Sequence, residues 1–75
     1  MEEFTLNSEY IELIRLIKLL GLTETGGQAK IMIGQGTVLL NGQTEMRKRV
    51  KLRPGDEIDV AGRKIRITSP RNQSG

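Results

Sequence analysis

Between residues 47 and 53 the chain places five cations in seven positions, Arg47, Lys48, Arg49, Lys51 and Arg53, with only Val50 and Leu52 between them. Guanidinium forks match phosphate oxygens two at a time and ammonium groups add compact point charges, so this density of one sign calls for a polyanionic partner. The two apolar residues are expected to turn inward and hold the alternating cations outward. Asn41-Gly42 before the run and Pro54-Gly55-Asp56 after it are turn signals, which place the cluster on a folded surface and not on a loose tail.

Other chemistries are narrowed by composition. The chain has no cysteine and no histidine, which removes disulfides, thiolate and imidazole metal ligands and the usual nucleophile–base pairs. No catalytic residue, metal site or cofactor is therefore expected. Asp56, Glu57 and Asp59 stand beside bases with no sign of a pocket to perturb them, and their expected role is salt bridging. Gly34-Gln35-Gly36 is neither a dinucleotide fingerprint nor a P-loop, because no strand precedes it and no Gly-Lys-Ser/Thr follows. A chain of 75 residues makes one small domain, burying only about 60% of its unfolded surface, too shallow for a deep small-molecule cavity.

The net charge of +3 hides a separation of sign. Residues 1 to 25 carry five acids and two bases, net −3, whereas residues 26 to 75 carry four acids and ten bases, net +6. Such asymmetry points to nucleic acid. The opening MEEFTLNSE has no basic region followed by an apolar run, and the apolar-rich segment 11 to 20 is too short and too charged to span a membrane. A soluble, cytoplasmic, monomeric protein is expected.

The elements that must position the cluster follow from periodicity. Glu3 to Leu6 fits a short edge strand with Phe4 and Leu6 on one face. Asn7 or Ser8 is the expected cap of a first helix, with Glu9 and Glu12 near the positive end of its dipole. Ile11, Leu13, Ile14, Leu16, Ile17, Leu19 and Leu20 leave that helix only a narrow polar stripe, with Arg15 and Lys18 as surface partners for the acids. Gly21 ends it. Thr25 to Gln28 fits a capping box for a second, short helix with Ala29, Met32 and Ile33 facing the first. Glycines at 26 and 27 cost about 1 kcal/mol each relative to alanine, so this helix depends on packing.

Residues 37 to 40 predict a strand, Asn41-Gly42 a hairpin turn, and 43 to 45 its return. A second hairpin joins 57 to 60 and 63 to 67 about Ala61-Gly62, with Ile58 and Val60 opposite Ile65 and Ile67. Lys64 and Arg66 share its outward face, extending the basic patch or blunting an edge strand. Residues 69 to 75 hold nothing apolar and are expected to be a disordered tail after a single domain of residues 1 to 68. The fold class is α+β: two short packed helices against a small, mostly antiparallel twisted sheet.

This order of parts, with Gly21-Leu22, Ala29-Lys30, Ile33, Gly36-Thr37-Val38, Asn41-Gly42 and Pro54-Gly55-Asp56, resembles the S-four RNA-binding domain, also called the alpha-L motif, over residues 10 to 60. The opening F-x-L-x-x-E-Y-I-E-L and the Arg47-Lys48-Arg49 run look most like its short stand-alone bacterial YbcJ-type members. The resemblance implies binding of structured RNA, often ribosomal, through the basic loop and the second helix, where Lys30 is the matching cation. Two departures stand out: Thr25-Gly26 where many members have Ser-Arg, and Gly34 where many have a base. Both remove cations from the helix and shift weight to residues 47 to 53. Alternatively, Thr25, Gly26 and Gly27 form a helix start that the RNA backbone can approach closely.

Phe4 and Tyr10 are the only aromatics, and both lie outside the basic run. No stacking platform of the RRM or OB type is expected, so recognition should rest on backbone and shape. Two other readings stay open. The second half also resembles a beta-grasp sulfur carrier, although the chain ends Asn-Gln-Ser-Gly where such carriers need Gly-Gly. A protein-interaction module using the apolar first helix would present an exposed Leu/Ile face.

Overall fold

A computed structural model of the chain describes residues 1–70; the remainder of the predicted tail, from residue 71, lies outside the described residues. The elements in chain order are β1 (Glu2–Thr5), β2 (Ile11–Glu12), α1 (Leu13–Leu19), α2 (Gly26–Gly34), β3 (Leu39–Leu40), β4 (Gln43–Thr44), β5 (Lys51–Leu52), β6 (Glu57–Val60) and β7 (Arg63–Thr68). Five strands form one sheet in the order β1-β7-β6-β3-β4, and β2 and β5 form a separate two-stranded ladder. Every pairing is antiparallel except β1 with β7. The α+β class and the two packed helices agree with the sequence reading.

The core is apolar throughout. Leu13, Leu16 and Ile17 from α1, Ala29 and Ile33 from α2, and Val38, Leu52, Ile58, Val60, Ile65 and Ile67 from the strands and their approaches are all buried, and among the described residues no buried polar or charged residue joins them. Phe4, Ile14, Leu20, Met32 and Val50 pack around that cluster. Leu52 in the core and Val50 at its margin orient the basic run as expected.

Local signals account for most boundaries. Gly21 has φ +76, its amide bonds the Lys18 carbonyl, and the Leu22 amide bonds that of Ile17, the paired bonds of a Schellman cap. The Thr25 hydroxyl accepts from the Gln28 amide at 3.1 Å, and the Gln28 side chain accepts from the amide of Glu24 at 2.9 Å. The capping box is thus shifted by one residue on its return side. Asn41 and Gly42 have φ of +52 and +87, and Ala61 and Gly62 of +53 and +78; both hairpins turn through two left-handed residues, which matches the twist of their strands.

The start of the first helix differs from the sequence reading. Ile11 and Glu12 are extended and pair with Leu52 and Lys51, and α1 begins only at Leu13 with no side-chain cap and no acid in its first turn. The Leu13 amide instead donates to the Val50 carbonyl at 3.1 Å, and that of Ile14 to the Lys48 carbonyl at 2.9 Å. The basic loop therefore does the capping that Asn7 or Ser8 was expected to do; the Ser8 hydroxyl donates to the carbonyl of Tyr10. Leu19, expected on the apolar face, is 56% exposed. Arg15 and Lys18 make no ion pair among the described residues.

The second hairpin is also placed differently. Ile58 lies opposite Ile65, but Val60 lies opposite Arg63, and β7 is an interior strand covered by β1. Its cations therefore blunt no edge.

Two separated motifs are tied together by side chains. The Asp56 carboxylate accepts from the Arg53 amide at 2.8 Å and from the Asn41 amide group at 3.1 Å, while the Asn41 side-chain oxygen accepts from the Glu57 amide at 2.9 Å. Pro54 and Gly55, the latter at φ +101, form a type II turn closed by the Asp56 amide on the Arg53 carbonyl. Asp56→Ala should cost about 1–3 kcal/mol, because it strips two donors from one carboxylate. In urea titrations the midpoint should fall at unchanged slope, whereas Asp59→Ala, which loses no described hydrogen bond, should stay within about 0.5 kcal/mol of wild type. Equal effects of the two changes would show that the lock contributes nothing.

Candidate nucleic-acid interface

The residues from 45 to 53 form a shelf bonded along its backbone. A turn closes at its outer end, with the Val50 amide on the Arg47 carbonyl at 3.3 Å. The carbonyls of Lys48 and Val50 bind the first turn of α1, β5 pairs with β2, and the Arg53 amide is fixed by Asp56. Arg49, Lys51 and Arg53 stand exposed on this shelf, and Lys48 is half-buried. None of these four makes an ion pair among the described residues.

Arg47 differs. Its guanidinium holds the Glu45 carboxylate through two hydrogen bonds at 2.9 and 3.1 Å, and its own amide donates to the same carboxylate at 3.0 Å. Glu45 is 12% exposed and Arg47 75%, so the arginine reaches solvent while already spending one face on an acid. The hydrogen bonds and charge of Arg47 hold the Glu45 carboxyl below its usual range, and Glu45 in turn raises Arg47. The sequence shows no acid inside the run, but Glu45 two residues ahead partly neutralises its first member.

Of the three cations of the last hairpin, Arg63 and Arg66 are committed elsewhere, while Lys64 is exposed with no ion pair among the described residues. Arg63 clasps Glu2 at 2.7 and 2.6 Å and donates to the carbonyl of Leu20 at 3.4 Å, fastening β1 and the end of α1. It draws the Glu2 carboxyl below its usual range by hydrogen bonding and charge. Arg66 holds Glu57 at 2.7 Å. Of the expected acid partners, Glu57 forms its bridge, Asp56 serves the turn, and Asp59 forms no ion pair among the described residues. Arg63 and Arg66 do not extend the basic patch.

Lys30 is exposed on α2, which packs on α1, the helix whose first turn the shelf holds. At the start of α2 the Thr25 hydroxyl takes the Gln28 amide and the Thr25 carbonyl takes that of Ala29. A Cβ built on Gly26 would meet nothing, and one on Gly27 would meet only the Thr25 hydroxyl oxygen at 3.9 Å. The fold therefore does not need glycine at either place.

Tyr10 was expected to lie apart from the basic residues, yet the β2–β5 ladder brings it among them. Ile11 faces Leu52 inside, so the neighbouring residues turn outward together. The Lys51 ammonium lies 4.9 Å from the centre of the Tyr10 ring and the Arg53 guanidinium 5.9 Å from it, both within cation–π range. Only the pairing of two strands about forty residues apart produces this contact, and no local pattern announces it. Phe4 packs against the core.

Among the described residues no cluster of acids could hold a metal ion, and no helix is long and apolar enough to cross a membrane.

Comparison with known proteins supplies the relatives of this arrangement. The S4 domain model matches residues 4–68. A protein of Escherichia coli (strain K12) described as the putative RNA-binding protein YbcJ is 39% identical over 70 residues, covering 92% of this chain and 100% of that one. A probable ribosome maturation protein, RlbA, of Bacillus subtilis (strain 168) is 31% identical over 58 residues, covering 77% and 82%. The solution structure of YbcJ from E. coli, described as revealing an alfaL motif involved in RNA-binding, superposes with a TM-score of 0.68 at 39% identity, covering 91% of this chain and 87% of that one.

The Arg47–Glu45 pair has a pH signature. Because the folded carboxyl lies below its unfolded value, its stabilisation is complete above the ordinary carboxylate range and is lost as pH falls through the lowered folded value. Carboxyl-detected NMR titration should find Glu45 titrating below ordinary glutamates in wild type and moving back toward their range in Arg47→Ala, which loses the guanidinium but keeps the backbone amide bond. An unchanged Glu45 midpoint in that variant would refute the pairing.

Proposed function

We propose, from the premise that the chain belongs to the S4 domain family, that it is a non-catalytic RNA-binding protein which grips structured RNA, ribosomal RNA above all, through the shelf and the second helix. In this reading residues 1 to 68 are one domain acting as a monomer in the cytoplasm. Lys48, Arg49, Lys51 and Arg53 contact phosphates, Arg47 joins them when it exchanges Glu45 for phosphate, and Lys30 adds a contact from α2. The relatives described as RNA-binding and as serving ribosome maturation support the choice of partner.

One observation carries the proposal: both arginines of the last hairpin are paired with acids and only Lys64 there is not, whereas four neighbouring cations on the shelf are unpaired among the described residues, although both sets lie on ordered backbone. Unpaired like charges held close together repel each other, a cost that a polyanion relieves on binding. The protein-interaction reading keeps little of its expected face, since Leu13, Leu16 and Ile17 of the first helix are buried and, of its apolar residues, only Leu19 at its end is exposed. At the start of α2, Gly26 and Gly27 leave room for RNA backbone beside Thr25, which explains glycines that the fold itself does not require.

Binding to a structured ribosomal RNA fragment across a salt series tests this. Five free cations, those four and Lys30, predict a slope of log affinity against log salt on the order of −3.5 to −4.5. Alanine at Arg49, Lys51 or Arg53 should flatten it by about 0.7–0.9 each, while Glu45→Gln, which frees Arg47, should steepen it by a similar amount. Gly27→Ala should stabilise the fold by about 0.5–1 kcal/mol and yet weaken binding. A slope near zero, or one that the shelf substitutions leave alone, would reject the proposal.

A further inference from the structure

Resting on the RNA-binding reading, we infer that Tyr10, framed by Lys51 and Arg53, is a stacking site for one unpaired base of the bound RNA, so that the protein prefers an RNA helix interrupted by an extruded nucleotide.

Three observations converge. Tyr10 remains 38% exposed, and the ladder that carries it is fixed on its inner side by Ile11 and Leu52, both buried. The ring is therefore presented by backbone pairing and does not hang from a free segment. It also lies beside Lys51 and Arg53, two of the cations with no ion pair among the described residues. Finally, Tyr10 lines an open cleft of about 530 Å³ with Ser8, Glu9, Ile11, Glu12 and Arg15, a size suited to a small ligand and not to a duplex.

The charges around this cleft give the nucleotide a direction. On the lining Glu9 and Glu12 outnumber Arg15, so this wall repels phosphate on balance while its carboxylates accept hydrogen bonds from the amino groups of bases. Lys51 and Arg53 lie over the ring and attract phosphate, so the nucleotide's phosphate draws them off the ring as its base takes their place. An extruded nucleotide is therefore received with its base over Tyr10 and its phosphate on the cationic side, continuous with the backbone contacts of the shelf. Every base has a flat face, so the ring reads the presence of an unpaired base more than its identity. The same two cations polarise against the ring's electron-rich face and keep it in place before RNA arrives.

The experiment compares two blunt RNA duplexes that differ by a single bulged adenosine, using wild type, Tyr10→Phe and Tyr10→Leu, each checked for folding by circular dichroism. Wild type should bind the bulged duplex roughly 5- to 150-fold more tightly, the range that base–aromatic stacking supplies. That ratio should stay constant across a salt series in which both affinities fall, because stacking releases no counterions. Tyr10→Phe should keep the preference and Tyr10→Leu should bind the two duplexes alike. Tyr10 is the only tyrosine in a chain without tryptophan, so its emission should quench on the bulged duplex alone. Equal wild-type binding of the two duplexes, or a preference that survives Tyr10→Leu, would overturn the inference while leaving the RNA-binding reading standing; failure of wild type to bind either duplex would remove both.

Discussion

The amides of Leu13 and Ile14 have no partner within their own helix, and they find the carbonyls of Val50 and Lys48. Helix starts always leave such donors open, and leaving them buried and unpaired costs on the order of 1–3 kcal/mol each. Here the acceptors come from the most cationic part of the chain. One pair of bonds therefore orders two things at once: it begins α1 where the core needs Leu13, Leu16 and Ile17, and it flattens the basic run against that helix. The β2–β5 ladder and the Asp56 carboxylate extend the hold from Lys48 to Arg53. A segment that would otherwise spread its like charges in solvent is kept compact by backbone bonds that no side-chain repulsion can easily break.

The division of charge follows from the same frame. Arg63 and Arg66 sit where neighbouring strands place Glu2 and Glu57 within reach, so their charge stabilises the sheet. The outward Lys51 of β5 faces Glu12, and Lys51 and Arg53 both settle on the ring of Tyr10 just before β2. Glu45 buffers only the first arginine of the run. Net charge would count all these cations alike, whereas the fold separates those that hold the protein together from those that remain available.

Much of this architecture is legible in the chain before any coordinates. Asn41-Gly42, Ala61-Gly62 and Pro54-Gly55-Asp56 mark turns through backbone angles that few residues adopt, and Gly21 and Thr25 mark helix ends by local hydrogen bonding. These signals act over a few residues, so sequence displays them directly. The true start of α1 does not show. Ile11 and Glu12 fit the helical apolar spacing as well as Leu13 and Ile14 do, and only a partner some forty residues away makes them a strand. Tyr10 follows the same logic, because its neighbours are set by that pairing. Glu45 is two residues from Arg47, but whether an acid at that distance turns toward its neighbour depends on a rotamer and not on spacing. The motif Asn41-Gly42 with Pro54-Gly55-Asp56 was recognisable as a family pattern, while its physical reason, one carboxylate and one amide tying two turns together, required the structure.

The central claim is that a single backbone-locked surface, residues 47 to 53 with the first turn of α1 beside it, receives the RNA. Amide chemical-shift mapping of the labelled protein titrated with a structured ribosomal RNA fragment tests it most directly. The account predicts that perturbations concentrate at residues 10 to 14 and 47 to 53, with a smaller set at 25 to 30, while the strand amides of β1 and β7 stay still. Perturbations confined to β1 and β7, or the absence of any at a saturating RNA concentration, would contradict it.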